Sequence, residues 1–264
     1  MNTSFIPAML GAGLLLAGTA AASPFPDARN TGVKTDTSLK PYAGTLYISD
    51  DGTVVEGLEI TGSVVVDAKN VTIRNSRIIA DTPWHIVYIK EGVEGFTLED
   101  SEIDGRGKAA NGALGRGTFL RNNIHGVENG LNIDGPSLIQ GNFIHDMRGG
   151  PEAHFDGIEI NGGKSIQILE NTVLNENGQT AAIMLNNYFR GLADITVDGN
   201  RLAGGGYTIY LDGRFKGGPV DAASIRITRN VMSRGQWGFF ALYGNRPVQS
   251  DNTIEATGAP IAGK

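Results

Sequence analysis

An eight-residue frame recurs along this chain: apolar, any, apolar, any, any, Asn or Ser, any, apolar. It reads Val71-x-Ile73-x-x-Ser76-x-Ile78 and then Phe96-x-Leu98-x-x-Ser101-x-Ile103. It returns as Ile166-x-Ile168-x-x-Asn171-x-Val173, Ile195-x-Val197-x-x-Asn200-x-Leu202 and Ile225-x-Ile227-x-x-Asn230-x-Met232. Weaker copies place Asn122 before Ile124, Asn142 before Ile144 and Asn252 before Ile254. The steps of about 20 to 30 residues are those of a solenoid and too short for propeller blades of about 40. Helical stretches that a TIM barrel would need between its strands are absent from the pattern.

Alternation within each frame has the two-residue period of a strand. The Asn falls where the chain must bend. Asn tolerates left-handed backbone, and its amide can bond to its equivalent one coil away, so these residues read as a structural ladder. A second set of short apolar strands lies between the frames, at 85–89, 130–133, 157–160, 182–185, 208–211 and 239–242. One coil cannot bury its own inner face, so stacked coils must complete the core. The fold expected is all-β, a single right-handed parallel β-helix of about eight or nine coils. The 38 glycines fit many tight turns, and without a single Cys the stack holds by burial and backbone ladders alone.

Residues 1–22 read as a secretory signal, apolar through Leu14-Leu15-Leu16 and ending in Ala20-Ala21-Ala22, although no Lys or Arg precedes the run. Residues 23–43 read as a lead-in that caps the open end, and 44–264 as the β-helix domain. No other long apolar run follows, so the mature chain is expected to be a soluble monomer, secreted or periplasmic, without a membrane partner. The net charge of −6 gives no reason to expect nucleic acid.

The frames, the Asn ladder and the stretch LKPYAGTLYISDDGTVVEGLEI resemble bacterial secreted right-handed β-helix proteins of the pectate-lyase-like superfamily. The resemblance covers nearly the whole mature chain. It implies carbohydrate-active chemistry by analogy of architecture only, because one fold hosts lyases, hydrolases, epimerases and tailspikes.

If Leu131/Ile133, Ile158/Ile160, Ile183/Leu185 and Ile209/Leu211 point inward, their neighbours form two outward columns. One is Tyr88, Asn132, Glu159, Met184, Tyr210 and Ala241; the other is Lys90, Asp134, Asn161, Asn186, Asp212 and Tyr243. The following turns add Tyr188, Arg190, Arg214, Lys216 and Arg246. Such a face suits an extended acidic polysaccharide, with tyrosines against sugar rings and guanidinium groups on carboxylates. It is equally what any solvated sheet face presents.

The segment 145–163 is the densest in ionisable groups. His154 can act as base or cap the turn, and Asp156 has the parity of an inward, structural residue. The leading expectation is a polysaccharide lyase or C5-epimerase acting on a uronate-containing glycan. His154, Tyr210 and Arg214 are its candidate catalytic residues. Lys90, Asn132, Asn161, Asn186, Tyr188, Arg190, Asp212, Tyr243 and Arg246 are candidates for substrate binding. Asp134 and Glu159 are hard oxygen ligands that could hold a Ca²⁺. A glycoside hydrolase using Glu159 with Asp134 or Asp212, and a non-catalytic binding or surface-structural β-helix, are the alternatives. Replacing His154 or Arg214 by Ala is expected to reduce activity and leave the thermal melt nearly unchanged.

Overall fold

The computed structural model describes residues 25–262, so the leader expected over 1–22 lies outside the described residues. The chain winds through a three-walled parallel β-helix. The first wall is a nine-stranded sheet running from Val54–Glu56 to Val248–Ser250. The second wall follows the Asn bend, from Lys40–Ala43 and Leu58–Thr61 down to Val231–Ser233 and Thr253–Ile254. The third wall carries His85–Ile89, Asp156–Ile160, Ala181–Asn186, Tyr207–Asp212 and Gly238–Ala241 among its rungs. Two coils run from second wall into third as continuous strands, Glu102–Gly115 and Asn123–Ile133, which joins these walls into one 17-stranded sheet. Nine rungs on the first wall agree with the coil number expected from the frames.

Alternation places one aliphatic column inside each wall. The first wall stacks Ile73, Leu98, Phe119, Ile139, Ile168, Val197 and Ile227. The second stacks Ile60, Ile78, Ile103, Ile124, Ile144, Val173, Leu202 and Met232. The third stacks Val64, Val87, Ala113, Leu131, Ile158, Ile183, Ile209 and Phe240. All are buried. Each large member contributes about 1.5–3 kcal/mol by leaving water.

The polar ladder runs down the bend between first and second walls. Asn122 donates through its backbone N–H and its Nδ2 to Asn142 Oδ1, both at 2.9 Å, and Asn142 does the same to Asn171. The series continues through Asn200 and Asn230 to Asn252. Ser76 and Ser101 take the ladder position in the upper coils, where Ser76 N–H donates to Ser101 Oγ. Every amide is thus satisfied in the core, as burial demands. One expectation needs correcting. The left-handed backbone belongs to the residue before each ladder position: Asn75, Asp100, Arg121, Gly141, Glu170, Gly199, Arg229 and Asp251 all have positive φ. The ladder side chain bonds sideways while its predecessor makes the turn.

The third-wall rung within Glu102–Gly115 is one the apolar pattern does not reveal. Its Gly112 stacks over Gly130 and Gly157, and a Cβ at Gly112 would meet Gly130 O at 2.5 Å, one at Gly130 would meet Gly157 O at 2.4 Å. This corner closes too tightly for side chains, so the coil spells Asn-Gly-Ala-Leu-Gly instead of an aliphatic alternation.

The first part of the lead-in lies along the flank, and its last residues, Lys40–Ala43, form the first rung of the second wall. Gly32 N–H donates to Arg121 O, Lys34 N–H and Thr37 Oγ1 reach Asn75 Oδ1, and Lys34 pairs with Asp100 at 3.2 Å. At the other end the chain doubles back: Ile254 N–H donates to Ala259 O, Ile261 N–H to Asn252 O, and Ile261 packs under the core.

Candidate functional site

The register of the third wall fixes which outward residues are neighbours. Its first outer column runs Tyr47, Val65, Tyr88, Leu114, Asn132, Glu159, Met184, Tyr210 and Ala241. The order expected from sequence is kept, with Leu114 inserted between Tyr88 and Asn132. In the second column Asn186 lies beside Asp212 and donates to Asn161 Oδ1 at 2.8 Å, and Arg116 enters above Asp134.

Along this second column the charged groups neutralise one another. Lys90 donates to Asp67 at 2.7 Å, and Arg116 Nε to Asp134 at 3.2 Å. Arg190 reaches Asp134 O at 3.2 Å and lies 3.5 Å from Glu91. Arg214 grips the buried Asp212 through Nε at 2.9 Å and Nη2 at 2.7 Å, and its guanidinium lies 3.5 Å from the centre of the Tyr243 ring. Burial works to raise the Asp212 carboxyl, but the hydrogen bonds and charge of Arg214 outweigh it and hold the group below its ordinary pKa. Arg246 shares with Tyr207 and Tyr243 a cleft of about 430 Å³ at the lower end of the wall.

Aromatic rings follow the lower coils. Tyr207 contacts both Tyr210 and Trp237, with centroids 5.5 and 5.9 Å apart, and Tyr210 lies 6.3 Å from Tyr243. Beside them the exposed Tyr188 meets Phe189 at 4.7 Å and Phe215 at 5.3 Å. Buried Asn187 ties the two turns that carry these rings, donating to Phe215 O at 2.9 Å and Gly218 O at 2.6 Å. Tyr207, Phe189, Phe215 and Trp237 escape the strand pattern because they sit on turns or at strand ends, where alternation gives no parity.

The upper part of the groove is different in kind. A short polar ladder, unmarked by any frame, runs down the corner where the second wall meets the third. Asn111 Nδ2 meets His85 Nδ1 at 2.9 Å, Asn129 Nδ2 donates to Asn111 Oδ1 at 3.3 Å, and Asp156 N–H donates to Asn129 Oδ1 at 3.1 Å. Asp156, only 4% exposed, accepts the Ala181 N–H at 3.1 Å. Burial pushes its carboxyl well above the ordinary range, and the charges of Glu159 and Glu128 push the same way. Glu159 stands outward one step along and takes Asn132 Nδ2 at 2.6 Å. Burial raises its pKa too, assisted by Glu128 and opposed by Asn161, Asn132 and His154. Among the described residues, no Lys or Arg forms an ion pair with Glu128, Asp156 or Glu159.

His154 stands exposed at the lip of this corner on a loop that neighbouring coils hold by its backbone. Glu128 accepts the His154 N–H at 2.9 Å. Gln179 Nε2 donates to Ala153 O at 2.7 Å, Asn175 Nδ2 to Phe155 O at 2.6 Å, and Asn177 Nδ2 to Met147 O at 3.3 Å. Tyr210, two rungs below Glu159, has its phenol pushed up to about 12 by burial, with Tyr243 and Asp156 adding to the shift. The dense segment 145–163 divides between walls: His145 stacks on Phe143 at 4.0 Å on the second wall, bonded to Asp146 and Asn123.

The expected Ca²⁺ pair does not fit a cation site. Asp134 already has the Arg116 guanidinium at 3.2 Å, which opposes a second positive charge, and Glu159 is engaged by Asn132 in the other column. Among the described residues no group of three or more His, Cys, Asp or Glu could hold a metal ion.

A family model described as right handed beta helix region matches residues 110–262. Neither curated proteins nor solved structures give a match to this chain. With more than half its length matched and every wall built of parallel rungs, the chain belongs to the right-handed β-helix family, whose members are of the carbohydrate-active or surface kind.

Proposed function

We propose that this protein binds an extended acidic glycan along the outside of its third wall and removes a proton next to a uronate carboxyl, as a secreted polysaccharide lyase or C5-epimerase. The observation that carries this reading is the corner of Glu128, His154, Asp156 and Glu159. It is the place on the wall where ionisable groups lack cationic partners, and it stands in line with the tyrosine strip below it. Uncompensated, partly buried acids weaken a fold, and their concentration at one groove is the mark of a working site.

In elimination His154 takes the C5 proton. The electron pair forms the C4–C5 double bond, the C4–O bond breaks, and the departing oxygen takes a proton from Tyr210, whose raised pKa keeps the phenol protonated. In epimerisation the first step is the same and a proton returns to the opposite face. The tyrosines supply flat contacts for sugar rings. Hydrolysis is a second reading, favoured by two carboxyls of raised pKa at one corner.

The test incubates the purified protein with alginate, pectate, glucuronan and glycosaminoglycans. Ultraviolet absorbance of an unsaturated uronate, or inversion at C5 seen by NMR, is the expected result. New reducing ends without absorbance would move the reading to hydrolysis. Binding with no chemical change would leave a carbohydrate-binding protein.

A further inference from the structure

A polyanion needs its charge met, and beside Glu159 the cations of the second column are committed, Lys90 to Asp67, Arg116 to Asp134 and Arg214 to Asp212, while Arg246 stands in the cleft at the lower end of the wall. Among the described residues no group of three or more His, Cys, Asp or Glu could hold a Ca²⁺ in their place. Yet Glu159, an acid, occupies the centre of the outer column between Asn132 and Met184. An ionised carboxylate there would repel a uronate; a protonated one would donate to it.

We infer, on the reading that the ligand is a uronate glycan, that Glu159 in its protonated form is the residue that receives the uronate carboxylate, with the amides of Asn132 and Asn161 beside it. Asn132 Nδ2 binds one oxygen of Glu159 at 2.6 Å, which leaves the other oxygen to carry the proton outward. Asn161 uses its own oxygen to accept Asn186 Nδ2 at 2.8 Å, so its NH₂ remains a donor. Three N–H or O–H donors then converge where an arginine or a metal would otherwise stand. The aromatic strip begins two rungs below, at Tyr210, so the next sugars of a chain anchored at Glu159 pass over rings. The charged and titratable groups near Glu159 are Glu128 from the neighbouring strand Asn123–Ile133, His154 from the adjoining loop and Asp156 on its own strand. Burial and Glu128 favour the proton on Glu159; Asn161, His154 and Asn132 oppose it.

The test is calorimetric binding of tetramers of galacturonate, mannuronate and glucuronate between pH 5 and 8, with a chelator present throughout. Wild-type affinity for at least one tetramer should fall about tenfold or more as pH rises, the worth of a hydrogen bond to a charged group. Glu159→Gln, whose amide donates at every pH, should bind within about threefold of the wild type at pH 5 and lose the pH dependence. Glu159→Ala should bind about tenfold more weakly throughout. His154→Ala should keep the pH dependence, which separates the imidazole's charge from the carboxyl's proton. The inference falls if Glu159→Gln binds as poorly as Glu159→Ala while melting like the wild type, if the affinity is flat with pH, or if no tetramer binds without Ca²⁺. These outcomes are distinct from failure of the proposed reaction, in which tetramers bind with the stated pH dependence and no polymer is altered.

Discussion

Two stretches of the third wall treat their carboxylates in opposite ways. Along the second outer column each acid meets a cation on its own or an adjoining rung: Asp67 with Lys90, Asp134 with Arg116, Asp212 with Arg214. At the corner above, Glu128, Asp156 and Glu159 crowd together, and the base that acts on Glu159 is His154. The fold clearly can supply cations at this spacing. Where it does not, stability is given up, and the loop bearing His154 is nonetheless fastened by Glu128, Asn175 and Gln179 from both sides. The contrast teaches that density of charge is a poor guide to a site, whereas lack of compensation within a rigid frame is a good one.

The largest effect should come from breaking the uncompensated side. His154→Ala should lower product formation by about 10²–10⁴-fold, the usual worth of a positioned base. The melt should not move, because the loop is held through the backbone N–H of His154 rather than its ring. Full activity in this variant would remove His154 from the mechanism.

Breaking the compensated side should do the reverse. Arg214→Ala leaves the buried Asp212 carboxylate facing Tyr243 with no cation, so the melting temperature should drop. This departs from the expectation, made from residue types alone, that the melt would stay put. The double variant Arg214→Ala/Asp212→Asn should recover part of the loss. The sign with pH is fixed: Asp212 titrates low because of Arg214, so its contribution is present above the ordinary aspartate pKa and disappears as pH falls through the lowered value. Wild type and single variant should therefore converge in acid.

Asp156→Asn probes the corner from the other direction. A carboxyl whose folded pKa lies above its unfolded value contributes fully below the unfolded pKa and loses that contribution as pH rises through the folded one. The amide cannot ionise, and the same ladder already holds Asn111 and Asn129. The variant's melting temperature relative to wild type should rise between pH 4 and 8. A fall over that interval would mean that Asp156 is ionised and paired, and that the corner is no different from the column beside it.

The walls and their inner columns are legible in the sequence because alternation and the Asn ladder repeat at every coil. What is not legible is set by turns of unequal length. Asn111, Asn129 and Asp156 share a ladder although 18 and 27 residues separate them, so no fixed period joins them. The rung at Gly112 hides because close backbone contact replaces aliphatic side chains with glycine. Most of both outward columns could be written from parity, the hidden rung with Leu114 and Arg116 excepted, but which cations turn upon an acid could not. The bond from Arg214 to Asp212 folds back from the turn onto its own strand end, where alternation assigns no direction.

The smallest effect lies at the other end of the same column and sharpens why burial, rather than pairing itself, distinguishes Asp212. Lys90 and Asp67 form a pair as short as that of Arg214 and Asp212, 2.7 Å in each case. Their side chains are 43% and 58% exposed, whereas Asp212 is 8% exposed. Water solvates either member of the upper pair once the other is gone, and dissolved salt already screens their attraction. Lys90→Ala should consequently leave the melt where it was, in low or high salt, while Arg214→Ala lowers it in both. Equal losses from the two variants would show that the exposed pair matters as much as the buried one, and that pairing itself, rather than burial, sets the cost of removing a cation from this column.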